Sequence, residues 1–440
     1  MTVAERPIDT GTDPVDDFRA WVADAWDPDL TVGEWWERLG LAGWSNPLLP
    51  PDRYGRGVSR GDSLRISRAL TEHGALGPPA GLGLMLAAPT IATHGTPEQV
   101  ERYVRDIVTG QRAWCQLFSE PGAGSDLAGL STRAERDGEV WMVNGQKVWT
   151  SGGQIADMGM LIARTNPTAP KHQGITWFAF DMHQPGVDVR PLREMTGNAM
   201  FNEVFLSDAT VADDARIGDV NDGWAVANTT LLWERSGMGA GGDRVMPAAR
   251  PGTIAGDLDK RAGDLVRSPK AASTPRPATW KPASPATPYI ELARSVGKDQ
   301  DPVVRQDLVR SHILGELSRM NTERAKAVRA AGGDIPGLPN FSKLLMADIL
   351  RHNRDLGARL LGARATLHAY DDAGRASLAD VPGGSAAAGI TAAILGAQAL
   401  PIYGGTDQIQ RNIVGERALG LPKEPGDLSR LPFNELPKNG

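Results

Sequence analysis

The chain has little of several features that would mark other classes of protein. Its 440 residues include one cysteine, Cys115, which excludes a disulfide framework and a paired-cysteine metal site and is typical of a reducing compartment. The seven histidines form no HxxxH or HExxH pair, so the sequence predicts no metal site. The net charge of −6 lacks the basic excess that nucleic-acid binding requires, so no nucleic-acid partner is expected.

The chain also lacks the patterns of a targeting segment or a membrane span. The first residues are acidic, with neither an apolar signal core nor an Arg-rich transit pattern. Two long stretches carry no charged residue. Residues 77–95 contain three prolines, and residues 381–405 consist largely of small and polar residues, which favours a buried helix of a soluble protein. We therefore expect no membrane span and a cytoplasmic location.

The residue patterns indicate three consecutive segments of an α+β protein. With 41% hydrophobic residues, the chain can form a large core, and its length suggests roughly three domains. We expect an N-terminal helical domain over 1–112, a middle β domain over 113–218 and a C-terminal helical domain over 219–440. No strand–turn–helix unit of the dinucleotide-binding type interrupts this order.

Helix-start signals support the N-terminal assignment. Asp13 precedes Pro14 as a cap, and Thr31 with Glu34 forms the capping box of a second helix. Thr96, followed by Pro97 and Gln99, repeats the box. Five of the twelve tryptophans fall in this region, where we expect them to pack in the core: Trp21, Trp26, Trp35, Trp36 and Trp44.

The middle segment alternates like β structure and predicts a small barrel or sandwich. Asn144-Gly145 predicts a hairpin turn between strands at 139–143 and 146–149. The further strand candidates are Met158–Ala163, Ile175–Phe180, Val187–Val189 and Glu203–Leu206.

The last segment predicts a helical bundle with one irregular insertion. Its long helix candidates are Val303–Ala331 and Phe341–Ala369, and a final helix is expected to start at Thr406 or Asp407. Residues 243–300 contain eight prolines, which predicts an extended or mobile loop outside the core. We expect trimming of residues 246–296 to leave the protein folded.

Two glycine-rich motifs in the β segment suit a large planar or phosphorylated ligand. In Gln116–Asp126, Gly122 and Gly124 allow close backbone approach, and Ser125 and backbone N–H groups can donate hydrogen bonds. In the second motif, Trp149 to Gly153, the indole ring can stack on a ring and Ser151 can bond a heteroatom. Taken alone, each motif also fits an ordinary glycine turn.

Two further motifs lie on or before helices. Glu234, in the apolar run that ends at Arg235, is a carboxylate whose burial would suit a general base, although an exposed Glu-Arg pair has the same pattern. Gly404-Gly405 precedes Thr406, which caps a helix whose N-terminus suits an anionic or electron-rich group. A plain glycine turn before a capped helix is the alternative.

Taken together, the EPGAGSD, NGQKVWTSGG and IYGGT-x-QIQRN blocks resemble the acyl-CoA dehydrogenase family. The resemblance covers about residues 50–422, apart from the proline-rich segment, and these motifs in this order are highly specific to the family. It implies the acyl-CoA dehydrogenase-like fold, with FAD between the β domain and the C-terminal helices and a contact from a neighbouring subunit. It further implies an acyl-CoA substrate, an electron-transfer flavoprotein as acceptor, and a homodimer or homotetramer, with a heterotetramer as a further possibility.

The resemblance also assigns roles to individual positions. The flavin would be lined by Gln116, Leu117, Phe118, Ser119, Gly124, Ser125, Trp149, Thr150, Ser151, Gly362, Thr406 and Gln408. Acyl-CoA would contact Ser125, Thr165, Leu232, Arg235 and Gly405. Ala363 stands where the family usually has the second of two glycines. The family's flavin-contacting arginine has no clean match, and Arg305 is the nearest candidate.

The catalytic base departs from the common pattern. Many members carry a glutamate in a Tyr-Glu-Gly-Thr motif, but Gly404 takes its place in this chain. A minority carry the base on an earlier helix directly before an arginine, which matches Glu234 before Arg235. The resemblance therefore implies Glu234 as base, with the Gly404 N–H polarising the thioester carbonyl. Asp407 is a rival acid, although its simpler role is a helix N-cap.

The preferred reading is FAD-dependent α,β-dehydrogenation of an acyl-CoA to the trans-2-enoyl-CoA. A flavin monooxygenase or oxidase of the same fold is one alternative, against which Glu234 counts. A non-catalytic subunit of a heteromeric acyl-CoA dehydrogenase is another, in which Gly404 marks a lost base. Glycines at 237, 239, 241 and 242 predict that the Glu234 helix ends early. The acyl chain itself stays open.

Overall fold

The architecture is taken from a computed structural model that describes residues 12–238, 249–266, 284–331, 333–379, 384–423 and 428–437. These residues form two compact units. The first comprises 12–192, the described residues from 200 to 266, and 428–437. The second comprises 193–199 and the described residues from 284 to 423. No helix among the described residues is long and apolar enough to cross a bilayer.

Helices begin the first unit, as the capping signals predict. They are α1 (Pro14–Ala25), α2 (Val32–Leu41), α3 (Arg60–His73) and α4 (Ala88–His94), followed by the helical turns Pro97–Gln99, Val100–Val104 and Arg105–Val108. Asp13 caps α1, and both predicted capping boxes are present. Trp35 and Trp36 are fully buried, and their indole N–H groups donate to the carbonyls of Leu76 and Gly77. The tryptophans therefore anchor the helices to the chain that follows α3.

The middle of the first unit is a single hydrogen-bonded sheet of eight strands. Its strands are β1 (Trp114–Leu117), β2 (Arg133–Asp137), β3 (Val140–Ser151), β4 (Met158–Arg164), β5 (Ile175–Asp181), β6 (Val187–Leu192), β7 (Phe201–Ala212) and β8 (Arg216–Ile217). The order is β6-β7-β3-β2-β4-β5-β8, with β1 parallel to β4. Strands β4 and β5 are almost wholly buried, which explains their continuous apolar runs. All four predicted strands outside the Asn-Gly region are confirmed.

The predicted hairpin at Asn144-Gly145 is wrong. Strand β3 continues through both residues, and its register against β7 shifts between Val143 and Gly145. A Cβ on Gly145 would lie 2.4 Å from the Thr132 hydroxyl, so the glycine permits close approach of β2 rather than a chain reversal. The turn between β2 and β3 is made instead by Gly138, in the left-handed region.

The proline-rich segment is not excluded from the core. In the first unit, Ala249 and Ala262 are buried, and Ala262 opens the short helix α6 (Ala262–Leu265) that follows α5 (Gly223–Met238). Backbone bonds join Val32 N–H to the Lys260 carbonyl and Gly33 N–H to the Leu258 carbonyl. The expected loop is therefore wrong for 249–266, because these residues bond to α2 and its flank. Residues 243–248 and 267–283 lie outside the described part.

Helices make up the second unit. They are α7 (Thr287–Ser295), α8 (Pro302–Ala330), α9 (Leu338–Leu361), α10 (Asp372–Ala379), α11 (Gly384–Gly396) and α12 (Asp407–Ile413). Helix α7 buries Tyr289, Leu292 and Ala293, so residues 287–295 also belong to a core. Helix α9 ends eight residues before the predicted Ala369, because Gly362 adopts a left-handed φ of 58° and a 3-10 turn follows. Helix α11 confirms a helix in the long uncharged stretch, but its predicted burial holds for one face only: Ala387, Ile390 and Thr391 are buried, whereas Gly389, Ala393 and Gly396 are exposed.

Candidate active site

The first motif begins in β1 and continues into an open glycine loop. Leu117 and Phe118 point into the core, so only their backbone can face a ligand, whereas Gln116 and Ser119 are half-buried. Glu120 and Ala123 exchange backbone hydrogen bonds of 3.0 and 3.1 Å, which closes the turn. Its glycines and Ser125 are exposed, and a Cβ on Gly122 or Gly124 would meet nothing within 4 Å. The loop therefore offers open backbone to a ligand.

A buried ion pair holds this loop against β3 at Lys147, two residues before the second motif. The Lys147 ammonium, which is completely buried, donates to the Glu120 carboxylate at 2.8 Å and to the Phe118 carbonyl at 3.1 Å. Glu120 also accepts from the backbone N–H groups of Ser131 at 2.6 Å and Thr132 at 2.9 Å. Burial raises the pKa of the Glu120 carboxyl, but Lys147 and these donors outweigh it and lower that pKa overall. The carboxylate thus fixes the loop to β3.

Trp149 is held in an unusual backbone conformation beside this pair. Its φ is 62°, in the left-handed region, at a second register shift of β3 against β7 between Lys147 and Thr150. The ring is 60% exposed and contacts Phe201 edge to face, with 5.9 Å between the ring centroids. A bulky residue with a left-handed φ lowers stability by about 1–2 kcal/mol. The exposed Trp149 ring is therefore held by a strained backbone.

The neighbours of Trp149 differ from one another in accessibility. Thr150 is fully buried, and its hydroxyl has no hydrogen-bond partner within the described part of the chain. Only its backbone can therefore meet a ligand from outside the sheet. Ser151 is half-buried, and Gly152 follows in the left-handed region. Asn202 donates to the Thr150 carbonyl at 2.9 Å and so fixes this strand end.

Glu234 lies within reach of the first motif. Its carboxylate is half-buried on α5, and the Gln116 amide nitrogen is 3.5 Å from Glu234 Oε2, a long contact at the limit of hydrogen bonding. Helix α5 is held in place by the Thr90 and Thr230 hydroxyls at 3.0 Å and by His94 Nε2, 2.8 Å from the Thr229 hydroxyl. The third motif therefore places a carboxylate next to the strand that opens the first.

The other residues predicted near the substrate in this unit lie on α5 and after β4. Leu232 is 57% exposed on α5, whereas the side chain of Arg235 lies outside the described part. The structure describes this helix as far as Met238, and the glycines at 239, 241 and 242 lie outside the described residues, so an early helix end stays a prediction. The Thr165 hydroxyl lies 2.7 Å from the Thr176 hydroxyl and 2.8 Å from Asn221 Oδ1. Thr165 is thus half-buried and internally bonded.

The fourth motif belongs to the second unit. Gly404 and Gly405 both adopt left-handed φ values, of 62° and 79°, and Gln410 donates to the Gly404 carbonyl at 2.8 Å. Thr406 caps α12 by accepting from the Ile409 N–H. A side chain at position 405 would meet the Gln410 amide at 2.7 Å, so the tight turn requires glycine there.

Asp407 is neither the cap nor an available acid. It is the first residue of α12, is 2% exposed, and forms ion pairs with Lys343, at 2.8 Å, and with Arg351. Burial raises the pKa of the Asp407 carboxyl, but the two cations lower it overall. The N-cap role expected for Asp407 is therefore wrong, because Thr406 supplies the cap and Asp407 anchors the turn to α9.

The remaining predicted cofactor contacts of this unit are accessible. Arg305 is exposed in the first turn of α8, and Gln408 is exposed on α12. Gly362 and Ala363 are also exposed, and no atom lies within 4 Å of a Cβ built on Gly362. Ala363, at the position where the family usually has a second glycine, thus leaves open space around the turn.

Sequence reasoning missed the buried charges that hold the loops. Glu120 lies in the first motif and Lys147 in the NGQKVWTSGG block, yet neither residue was predicted to have a role. One signal was present: Lys147 follows Trp141 and Val143 at inward-facing positions of β3, where a charge requires a buried partner. Lys343 and Arg351 carried no such signal, because lysine and arginine on a helix usually face solvent.

Each unit, taken by itself, carries groups of the kind that the flavin implied by the resemblance requires. A planar ring system needs an aromatic or backbone surface free of side chains and hydrogen-bond donors along its edge. The exposed Trp149 ring and the open backbone at Gly122 and Gly124 provide these in the first unit. The left-handed Gly404-Gly405 turn before a capped helix provides N–H donors in the second.

Comparison with known proteins gives the family. Models of the acyl-CoA dehydrogenase N-terminal, middle and C-terminal domains match residues 13–111, 115–209 and 290–419. Acyl-CoA dehydrogenase FadE34 of Mycobacterium tuberculosis is 38% identical over 85% of this chain, which spans only 44% of that relative's length. Acyl-CoA dehydrogenase IpdE1 of the same organism is 33% identical, with 89% of this chain and 88% of the relative covered.

A solved structure shares the fold. The structure described as the Tcur3481-Tcur3483 steroid ACAD aligns with a TM-score of 0.63 over 95% of this chain and 99% of the other, at 24% identity. The domain models and the full-length similarity to IpdE1 together show that this chain belongs to the acyl-CoA dehydrogenase family, a family of FAD-dependent enzymes.

Proposed function

We propose that the protein catalyses α,β-dehydrogenation of an acyl-CoA thioester to the trans-2-enoyl-CoA. Glu234 removes a proton from Cα, a hydride leaves Cβ, and the Cα–Cβ bond becomes double. When bound, FAD supplies the hydride acceptor at its N5 atom. Glu234 has the role of base because its carboxylate lies next to Gln116 of the first motif.

The contact between Gln116 and Glu234 carries the proposal. It links the third motif to the first, which were independent in the sequence, and it does so with a half-buried carboxylate. Asp407 is excluded as a rival base, since two cations hold its carboxylate.

The chain's own residues would bind and orient the reactants. We assign the flavin to the backbone of Gln116–Ser119, to Trp149 and Ser151, and to the turn before α12 with Thr406 and Gln408. Gly362 and Arg305 are further cofactor contacts in the second unit. Leu232, Arg235 and Gly405 would contact the acyl-CoA, and Ser125 and Thr165 its CoA part. The Gly404 N–H would polarise the thioester carbonyl and acidify the Cα proton.

The partners follow from the same proposal. The electrons would pass to an electron-transfer flavoprotein, and the protein would form a homodimer or homotetramer, with a heterotetramer as the alternative. Ring-bearing acyl-CoAs are the first substrates to examine, since the fold matches that of a steroid ACAD. Short, branched and long straight-chain acyl-CoAs complete the comparison.

Anaerobic reduction of the flavin tests the proposal. Protein saturated with FAD is mixed without oxygen with each acyl-CoA, and the flavin absorbance is followed. At least one acyl-CoA is expected to bleach the flavin and to appear as its trans-2-enoyl product. A flavin that stays oxidised with every acyl-CoA, while dithionite still reduces it, would contradict the proposed activity.

A non-catalytic subunit is the second candidate, and one observation favours it. Gly404 stands at the position of the common catalytic glutamate, and the steroid ACAD of the same fold is described under two names, Tcur3481 and Tcur3483. This reading predicts that the purified chain binds FAD weakly or reacts only after a second acyl-CoA dehydrogenase chain is added. Bleaching by the chain alone would remove it.

A further inference from the structure

A segment near the C-terminus packs on the β domain, outside the three matched domain models. The segment 428–437 belongs to the first unit, whereas the C-terminal domain model matches only as far as residue 419. The Phe433 N–H donates to the Ala169 carbonyl and the Asn434 N–H to the Pro167 carbonyl, both at 3.0 Å. Pro170 and Pro432, next to the first of these bonds, form an antiparallel bridge. The segment is thus bonded to the loop 165–174.

Phe433 covers a buried arginine at the root of this loop. Arg164 is 3% exposed, and its guanidinium carbon lies 3.9 Å from the Phe433 ring centroid, the geometry of a cation–π contact. The guanidinium donates to the Lys171 carbonyl at 2.6 Å and to the Ala128 carbonyl at 2.6 Å. Its Nε has no hydrogen-bond partner within the described residues. The Phe433 ring therefore covers the Arg164 guanidinium, which donates hydrogen bonds to two loops.

The same loop is bonded to the first motif. The Lys171 ammonium lies 2.8 Å from both carboxylate oxygens of Asp126, the residue that directly follows Ser125. Lys171 is 18% exposed and Asp126 is 62% exposed, so this pair lies at the surface. A continuous path of contacts therefore runs from Phe433 through Arg164 and Lys171 to the residue beside Ser125.

We propose that segment 428–437 is a positioning element for the CoA part of the substrate, acting through Phe433 and Arg164. This inference rests on the proposed function, in which Ser125 and Thr165 contact CoA. The segment is bonded to the loop that starts at Thr165, and that loop in turn holds Asp126, the residue beside Ser125. Phe433 is a positioning residue and touches neither flavin nor reacting atoms. Losing its ring uncovers Arg164 and loosens the loop.

A purely structural role and a CoA-positioning role predict different results. Loosening the loop should weaken binding of a thioester that carries the whole CoA group. It should leave unchanged the binding of the same acyl group on N-acetylcysteamine, which lacks the nucleotide and most of the pantetheine. General damage to the fold would instead affect both thioesters and the flavin.

The test is titration calorimetry of the FAD-loaded full chain with acyl-CoA and with the matching N-acetylcysteamine thioester. Phe433→Ala is expected to weaken acyl-CoA binding about tenfold, which corresponds to about 1.4 kcal/mol, with the short thioester and the flavin content unchanged. Phe433→Tyr, which retains the ring, should stay within about twofold of the wild type. Phe341→Ala, an exposed phenylalanine of the second unit, is the matched control and should change nothing.

Equal weakening of both thioesters, or no change with either, would overturn the proposal. Binding is measured apart from turnover, so wild-type protein that binds acyl-CoA without bleaching refutes the proposed activity alone. Hydrogen exchange of the wild type guards against a variant that fails to fold. Acyl-CoA is expected to slow exchange in both 165–174 and 428–437 by at least about threefold, and unchanged exchange in 428–437 would also overturn the proposal.

Discussion

The two glycine turns that the family resemblance assigns to the cofactor are held by carboxylates in different ways. In the first unit, Glu120 accepts from one completely buried ammonium, Lys147, and from two backbone N–H groups. In the second, Asp407 accepts from two side-chain cations, Lys343 and Arg351, and the latter is 32% exposed. Glu120 thus fixes backbone as well as side chains, whereas Asp407 joins side chains of two helices. Both carboxylates are buried, and the two arrangements differ in their cations, since Lys147 is completely buried whereas Arg351 is partly exposed.

The first arrangement should be the more costly to break. Without the Glu120 carboxylate, Lys147 would be a buried charge with only the Phe118 carbonyl as acceptor, and two backbone donors would lose their partner. Without the Asp407 carboxylate, Arg351 can turn toward water. The difference between the two turns follows from the burial of their cations, and the stabilities of variants at Glu120 and Asp407 measure it.

Glu120→Leu should have the largest effect. It is expected to lower the free energy of unfolding by about 3–5 kcal/mol, the usual cost of leaving one charge of a buried pair uncompensated. Urea denaturation of the wild type and variant measures this. Glu120→Gln keeps an acceptor and should lose less, and a loss under about 1 kcal/mol for the leucine variant would contradict the role given to the pair.

Asp407→Leu should cost less, about 1–3 kcal/mol, because one of its cations is partly solvated. The same denaturation experiment applies, with Asp348→Leu, an exposed partner of Arg351, as the matched control. The control is expected to stay within about 1 kcal/mol of the wild type. A larger loss for Asp407→Leu than for Glu120→Leu would reverse the comparison.

Acid should remove the Asp407 contribution. The folded state lowers the pKa of this carboxyl below its ordinary value of 3.8, so its stabilising effect is complete above that value and is lost as the pH falls through the folded pKa. The free energy difference between wild type and Asp407→Asn should therefore be constant from pH 7 to pH 5 and shrink below pH 4. A difference that grows with acid would contradict the direction of the shift.

Backbone strain distinguishes the two turns on a smaller scale. Gly405→Ala should cost about 1–2 kcal/mol, because the alanine would adopt a left-handed φ and meet the Gln410 amide. Trp149→Gly relieves the same kind of strain and should change stability by less than about 1 kcal/mol, the loss of the Phe201 contact offsetting the gain. Thermal unfolding compares the two, and equal losses would show that Trp149 is unstrained.

Local rules predicted the helices well and long-range contacts poorly. The capping signals at Asp13 and Thr31 gave correct helix starts because a cap depends on residues within one turn. Asn144-Gly145 gave a wrong hairpin because Thr132, which directly precedes β2, packs against Gly145, a contact that the dipeptide itself does not encode. The docking of 249–266 on α2 relies on backbone hydrogen bonds, which leave no pattern in side chains.

The candidate site, like the fold, could be predicted from the sequence only in part. Motif composition singled out the glycine loops and Glu234 as candidates, although each motif taken alone also fitted an ordinary turn or a surface pair. It missed the Lys147 and Lys343 anchors and assigned Asp407 to a cap, because the partners of a buried charge are chosen by the fold. The path from Phe433 to Asp126 had no sequence signal for the same reason.

The proposed reaction depends on Glu234 as the base. The decisive measurement is anaerobic flavin reduction by the best acyl-CoA, comparing wild type, Glu234→Gln and the exposed control Glu72→Gln, each loaded with FAD. We predict that Glu234→Gln binds the acyl-CoA normally but reduces its flavin at least about 1,000-fold more slowly, while the control matches the wild type. Wild-type reduction rates in Glu234→Gln would contradict the central claim.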